Sequence, residues 1–251
     1  MELDLKGKNV FITGAAKGIG RGIAFAAAAE GANIALHYLS SEEEAVHTAN
    51  KIKSAFGVNV HLVKGDIANI EDVIRMKEEL YQGLGGIDCI VNNAGFDQMR
   101  TFFQYQPDEW KREVDVCFYG VLNLVHTFIP EMMEKKQGKL INIVGDSART
   151  GDKHLILSAA ARNGAISFIK SLAQDVGKSN VQCNTVALGM VDSRSLNFNE
   201  ATLEKMVRQY PLKRLGKVDD VTGIILFLLS NHADWITGQV IPVNGGYSML
   251  G

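Results

Sequence analysis

The sequence predicts a doubly wound α/β domain: one parallel sheet of about seven strands with helices on both faces, spanning residues 1–251. Three observations carry that expectation. Short β-rich apolar runs alternate with helix-period amphipathic stretches along the whole chain, a pattern that requires right-handed crossovers and a sheet covered on both sides. A glycine loop, T-G-A-A-K-G-I-G at 13–20, stands between the first apolar run and the first helical stretch. No linker, internal repeat or low-complexity tract interrupts the alternation.

Taken in order, Val10, Phe11 and Ile12 make 9–13 the first strand. The glycine loop follows and opens into 21–30, an Ala-rich stretch suited to helix. A strand, a tight turn and a helix N-terminus present unpaired backbone N–H groups to a pyrophosphate. Glycine is needed there because a Cβ would keep the chain from the phosphates and the helix from the strand. By itself such a loop reads equally well as an ordinary strand-to-helix turn. The remaining apolar runs, 33–37, 58–64, 88–92, 139–144, 181–187 and 239–243, are predicted strands. The amphipathic stretches 42–56, 70–84, 107–133, 157–176 and 218–229 are predicted helices between them. Ligands of such a sheet bind beyond the carboxyl ends of the strands, so the segments that follow strands are where function is sought.

Composition narrows the class. With 46% hydrophobic and 22% charged residues the chain can build a core. A net charge of −2 gives no basis for a nucleic-acid partner or an anionic membrane. Cys89, Cys117 and Cys183 fall inside predicted strands or helices without metal-type spacing, so a reducing, cytoplasmic setting and no metal are expected. The charged start, Met1 to Lys8, lacks an apolar signal segment. The best apolar run, 224–229, is far short of the roughly 20 residues that span a bilayer.

Five segments in order, T-G-A-A-K-G-I-G at 13–20, G-D-I at 65–67, N-N-A-G at 92–95, P-L-K-R-L-G at 211–216 and I-T-G-Q-V-I-P-V-N-G-G at 236–246, resemble the short-chain dehydrogenase/reductase family. The likeness covers essentially the full length and is closest to the 3-oxoacyl-carrier-protein reductase branch. It implies a Rossmann-type fold with a nicotinamide dinucleotide across the strand ends. Gly14, Gly18, Ile19 and Gly20 would line the pyrophosphate. Asp66 would accept from the adenine amino group, with Ile67 contributing its backbone. Asn93, Ala94 and Gly95 would flank the adenosine ribose, bland turn residues being the plainer reading. Leu188-Gly189 stands where the family usually has Pro-Gly, and Val191 and Ser193 fall where the nicotinamide carboxamide is held. The resemblance also implies dimers or tetramers through 107–133, the 157–176 helix and 239–243.

Cofactor choice has a physical handle. Members selective for NAD place an Asp at the end of the second strand to grip the ribose 2′-hydroxyl. Seven residues on from Gly31 stands Tyr38 instead, and no carboxylate repels a 2′-phosphate. Lys17 in the glycine loop and Ser40 or Ser41 can bind that phosphate, although Lys17 also reads as a solvated loop lysine. NADP(H) is favoured over NAD(H).

The family's chemistry uses a tyrosine, a lysine four residues later, a strand-end serine and a helix asparagine. Here those positions hold Ser158, Arg162, Gly145 and Cys117. No slipped register restores the pair: none of the six tyrosines has a lysine four residues on. A serine hydroxyl is a far weaker acid than a tyrosine, whose reference pKa is about 10. Arg162 can still hold a ribose but does not exchange protons near neutral pH. Loss of a positioned general acid typically costs ~10²–10⁴ in rate. Replacement donors are His154, one turn before Ser158, and Asp146 and Ser147, just past Gly145. Their plainer readings are a surface-loop histidine and a helix-cap pair. Cys117 reads as a small buried helix residue, and Ser158 as a small tolerated replacement.

Three functions stay open. The first is an NADP(H)-dependent oxidoreductase that acts on a small carbonyl or alcohol without the Tyr–Lys pair. The second is a non-catalytic homologue that binds nucleotide or a partner subunit, as a homo-oligomer or mixed with an active relative. The third is non-redox chemistry in the old pocket, such as dehydration or carbon–carbon cleavage. Phe96, Met99, Phe102 and Phe103 can line an apolar mouth or pack on the following helix. The 193–208 segment matches a region that covers substrate in relatives, and Arg194 within it can meet an acidic group or simply be solvated.

Overall fold

The computed structural model describes residues 2–193 and 199–249. The apolar runs become β1 (Asn9–Ile12), β2 (Asn33–Tyr38), β3 (Val60–Lys64), β4 (Cys89–Asn92), β5 (Gly138–Gly145) and β6 (Val181–Leu188). A short pair, β7 (Val191–Asp192) and β8 (Gly216–Lys217), precedes β9 (Val240–Val243). The main sheet runs β3-β2-β1-β4-β5-β6-β9, with every neighbouring pair parallel. From β1 the chain winds outward to β3, then crosses back to lay β4 on the other side of β1. That reversal opens a crevice beyond the carboxyl ends of β1 and β4.

The helices are α1 (Gly18–Ala29), α2 (Glu42–Phe56), α3 (Ile70–Leu84), α4 (Trp110–Val114), α5 (Gly120–Lys135), α6 (Ser147–Thr150), α7 (Ile156–Val176), α8 (Glu200–Arg208) and α9 (Val218–Leu229). Alternation along each strand divides the core between the two faces. Val10, Ile12, Ile34 and Leu36 pack with Ile23 and Ala27 of α1 and Ile225 of α9. Phe11, Ala35 and Ile90 point the other way, to Met76 of α3, Phe128 of α5 and Ile169 of α7. The sequence expectation left out α8, and also α6 and the β7–β8 pair, which are too short to leave a period.

One helix bears on the membrane expectation. With the π-helical turn at Asp115–Tyr119, the helical stretch Pro107–Lys135 is continuous and, by length and composition alone, apolar enough to cross a membrane. Half of its apolar window is buried inside the domain. Val121, Leu124, Phe128 and Met132 of this stretch belong to the sheet-facing core, which accounts for the apolarity. Charged residues such as Glu113 and Asp115 break up the apolar run within the predicted 107–133 helix.

Phe128 is fully buried, its ring centroid 5.2 Å from that of Phe11. Phe128→Ala is expected to cost about 3–5 kcal/mol of unfolding free energy, read from urea denaturation.

Candidate functional site

The crevice is built on Thr13, the residue that follows β1. Its buried hydroxyl donates to Asn92 Oδ1 (2.8 Å) and accepts the backbone N–H groups of Asn93 and Ala94, each at 2.9 Å. The hydroxyl thereby uses its one proton and both lone pairs. Asn93 Nδ2 returns bonds to the carbonyls of Thr13 (3.0 Å) and Gly14 (3.2 Å). Asn92 passes the linkage to Asn142 Oδ1 on β5 at 2.8 Å. The carboxyl ends of β1 and β4 and the middle of β5 are joined through side chains as well as through the sheet.

The glycine loop fits against this frame with no room to spare. A Cβ on Gly20 would stand 2.5 Å from the Gly14 carbonyl oxygen and 2.6 Å from Asn93 Nδ2. Gly14 and Gly18 have φ of +62° and +59°, where side chains are strained. Lys17, the N-cap of α1, supplies no side-chain acceptor, so the first-turn N–H groups are not spent on a cap. The residues present therefore fit a dinucleotide's pyrophosphate: a bare loop at the positive end of a helix. Ser193 approaches from across the crevice, its Cβ 3.7 Å from the position a Gly18 Cβ would take.

His37, unforeseen in the sequence, fixes the loop from the β2 side. It is 2% exposed. Gly14 N–H donates to Nδ1 at 3.0 Å, so the ring proton sits on Nε2 and is donated to the Gly65 carbonyl 2.9 Å away. Burial drives its pKa down to about 4, against weaker upward pulls from the Gly65 carbonyl and from Asp66 and Asp72. A protonated ring would face the Gly14 N–H donor with a second donor. The imidazole is a neutral brace.

Beyond this loop lies a cavity of about 460 Å³, lined by Gly14, Lys17, Tyr38, Ser40, Asp66 and Arg112 among others. Ser41, Ile67, Asn93, Ala94 and Gly95 complete much of its wall. The sequence-predicted residues of the adenosine half therefore converge. Tyr38 is buried and Lys17 is exposed at the rim. At the base end Asp66 is already engaged: Oδ1 accepts from Ala68 N–H (3.0 Å) and Oδ2 from Arg112 Nη1 (2.6 Å). Arg112, also unforeseen, comes from α4, 46 residues further along the chain. The Ile67 carbonyl accepts from Asn123 Nδ2 at 2.9 Å.

The family model described as Enoyl-(Acyl carrier protein) reductase matches residues 14–248. The chain is 32% identical over 243 residues to a 3-oxoacyl-[acyl-carrier-protein] reductase of Staphylococcus epidermidis, covering 96% of this chain and 99% of that one. It belongs to the short-chain dehydrogenase/reductase family. A 3-oxoacyl-[acyl-carrier-protein] reductase of Aquifex aeolicus is 33% identical over 247 residues, covering 98% of this chain and 99% of the relative. Among solved structures, that of the 3-oxoacyl-[acyl-carrier protein] reductase from Brucella melitensis superposes with a TM-score of 0.91 at 28% identity, covering 99% and 95% of the two chains.

At the positions that the sequence likeness aligns with the family's proton-handling residues, the side chains are turned to other uses. Ser158 is fully buried, and its hydroxyl donates to the Leu155 carbonyl (3.2 Å) within its own helix. Arg162 forms an ion pair with Asp97 on the loop after β4. Cys117 donates to the Phe96 carbonyl at 3.3 Å, and burial pushes its thiol pKa up. A Cβ on Gly145 would lie 3.2 Å from Ser147 Oγ, so Ser147 does stand beside the serine position.

Asp146 departs from its expected place facing the cleft as an acid. It is 3% exposed, and Asn244 Nδ2 (2.8 Å), Ser248 Oγ (2.5 Å) and Arg149 Nη1 (3.2 Å) occupy its oxygens. Desolvation of a carboxylate is tolerable only with such partners, and they leave it no free face. His154 is exposed, its backbone carbonyl accepting from Arg100 N–H at 2.9 Å. Gly189 and Val191 are not part of the main cavity's lining; they line a second one of about 370 Å³ with Tyr210 and Asn244. The β6–β9 pairing turns Gly189 that way, with its N–H on the Val243 carbonyl. Phe102 stacks on Trp110 (5.6 Å) while Phe103 stays 94% exposed, so the aromatic group is split between packing and solvent. Of the 193–208 segment, Arg194 lies outside the described residues and the last nine form α8.

The His37 brace carries a pH signature. Between pH 6.5 and about 4 the unfolded chain binds a proton that the folded chain refuses. Stability is complete above pH 6.5 and falls as pH drops toward 4, by about 3 kcal/mol in all. His37→Asn keeps one acceptor and one donor without titrating. Urea melts from pH 7 to pH 4 should show wild type losing stability faster than the variant, and parallel profiles would refute the assignment.

Proposed function

We propose that this chain binds NADP(H) in the crevice and serves as a nucleotide-binding member of its family, without a proton donor for carbonyl reduction among the described residues at positions 117, 145, 158 and 162. One observation carries the reading: the crowded glycine cradle is intact while Ser158 is buried and bonded to its own helix. Bound coenzyme would supply a hydride at its nicotinamide ring. Gly14, Gly18 and Gly20 would bare the backbone to its pyrophosphate, and the N-terminus of α1 would face the negative charge. Lys17, Ser40 and Ser41 share the cavity with Tyr38, and the absence of a carboxylate at position 38 suits a 2′-phosphate. Nothing in that arrangement delivers a proton to a substrate oxygen. Hydride transfer to a carbonyl therefore lacks a contribution of ~10²–10⁴ in rate.

The chain works as a homo-oligomer, a dimer or tetramer, or beside an active relative in a mixed one. Three buried free thiols, at Cys89, Cys117 and Cys183, suit a reducing cytoplasm. A second reading, reduction of a small carbonyl substrate with His154 as the acid, is favoured by the exposed position of that imidazole.

Calorimetric titration is expected to give tighter binding of NADPH than of NADH. Lys17→Ala should weaken NADPH by about tenfold and leave NADH unchanged. Equal affinity for the two coenzymes would remove the 2′-phosphate assignment. With a panel of carbonyl substrates, no nicotinamide oxidation above the buffer control is expected. Turnover abolished by His154→Ala would instead establish the second reading.

A further inference from the structure

The amino ends of the strands hold a polar cavity of their own, on the far side of the sheet from the crevice. It encloses about 240 Å³ where β1, β4, β5 and β6 begin. Lys8, Lys136 and Lys139 bring three ammonium groups to its wall, and Asp88 and Asp234 bring two carboxylates. Lys139 decides its character. The side chain is only 8% exposed, and among the described residues its ammonium meets one partner, Asp234 Oδ1 at 2.5 Å. An ammonium carries three donors, so two protons of this buried cation are unspent at the cavity wall. Asp234 is itself 55% exposed. The single counter-ion therefore stands at the surface, where an ion pair contributes little.

The wall around Lys139 is held in place by side-chain bonds. Asn180, at φ +57°, donates from Nδ2 to the carbonyl of Lys136 (3.0 Å), itself at φ +50°, and accepts from Gln182 Nε2 at 3.0 Å. Few residues other than glycine occupy that left-handed region, and here two of them clasp one another. Lys8 Nζ is held by Asn231 Oδ1 at 3.0 Å. Asp88 Oδ2 accepts the Asn9 N–H at 2.8 Å, so part of its charge is already spent on β1. Three cations thus face two carboxylates, one bonded to backbone and the other free to turn to solvent. A cation shielded from water is costly unless an anion and hydrogen bonds complete its surroundings. We propose that this cavity is an oxyanion-binding site that takes phosphate, free or as a small monoester. Its donors come from separate strand ends and loops, a convergence that suits a tetrahedral anion better than a planar carboxylate. Its volume is below that of pockets for drug-sized ligands and far too small for a dinucleotide. The site stands independently of the nucleotide-binding reading.

Calorimetry with inorganic phosphate in a low-salt buffer, where screening is weak, tests it. Wild type is expected to bind phosphate with a dissociation constant of about a millimolar or below. Lys139→Met keeps the apolar stem but removes the charge-assisted bonds, and should weaken phosphate by about tenfold or more. Asp234→Asn removes the rival carboxylate and should tighten phosphate by about fivefold. Glycerol 3-phosphate separates the two sources. Tighter binding than inorganic phosphate identifies an ester as the occupant, and equal or weaker binding identifies the free anion. No saturable phosphate binding up to about 10 mM overturns the proposal. So does an unchanged affinity in a folded Lys139→Met protein, which would put the anion in the glycine cradle instead. An unchanged affinity in Asp234→Asn overturns it too, since the ion pair would then serve the fold alone. Succinate binding more tightly than phosphate would refute the tetrahedral anion.

Discussion

Where β1 gives way to α1, the polypeptide passes so close to the end of β4 that a single added carbon at Gly20 would collide with two polar atoms at once. The crevice beyond the sheet is arranged around that approach. It brings Asn93 within reach of two carbonyls of the loop and lets the Thr13 hydroxyl be shared between β1 and β4. It also leaves the backbone of residues 14–20 bare on the side away from the sheet. Packing that is intolerant of a methyl group and access for a large anion are here two faces of one constraint.

The crevice is uneven from end to end. Beyond the glycine loop Lys17, Ser40, Asp66 and Arg112 border one cavity, and there Asp66 and Arg112 also bond to each other. On the other side polar groups are consumed by one another. Ser158 bonds to its own helix, Cys117 to the Phe96 carbonyl, Asp146 to the C-terminal segment and Arg162 to Asp97. A buried polar group that has satisfied itself internally has little free energy to gain from a ligand.

Local pattern made most of the architecture legible. Apolar runs of five or so residues set the strands because a parallel sheet is buried on both faces, and α2, α3 and α9 begin and end as their amphipathic stretches do. The cradle was legible because glycine spacing is itself a backbone requirement. What escaped depends on partners far apart in the chain. His37 looks like one polar letter in an apolar strand, and its role appears only when Gly14 and Gly65 arrive on either side of the ring. Arg112 and Asp66 meet across 46 positions, and no periodicity marks them. Tyr105 and Glu113 are a similar case: the phenol donates to Glu113 Oε1 at 2.8 Å, and burial pushes its pKa up to about 12. Asp146 misled for the opposite reason, since a strand-end carboxylate looks available until Asn244 and Ser248 are seen to enclose it.

That enclosure ties two distant stretches of polypeptide to one electrostatic obligation. The carboxylate at the tip of β5 is shielded from water, and two of its donors come from residues about a hundred positions later. Trimming the chain back past Ser248, or exchanging Asn244 for an apolar residue, would leave a negative charge under cover with too few protons pointed at it. Residues that look like a dispensable tail are therefore constrained by solvation of an ion rather than by shape, and drift there is coupled to drift at position 146.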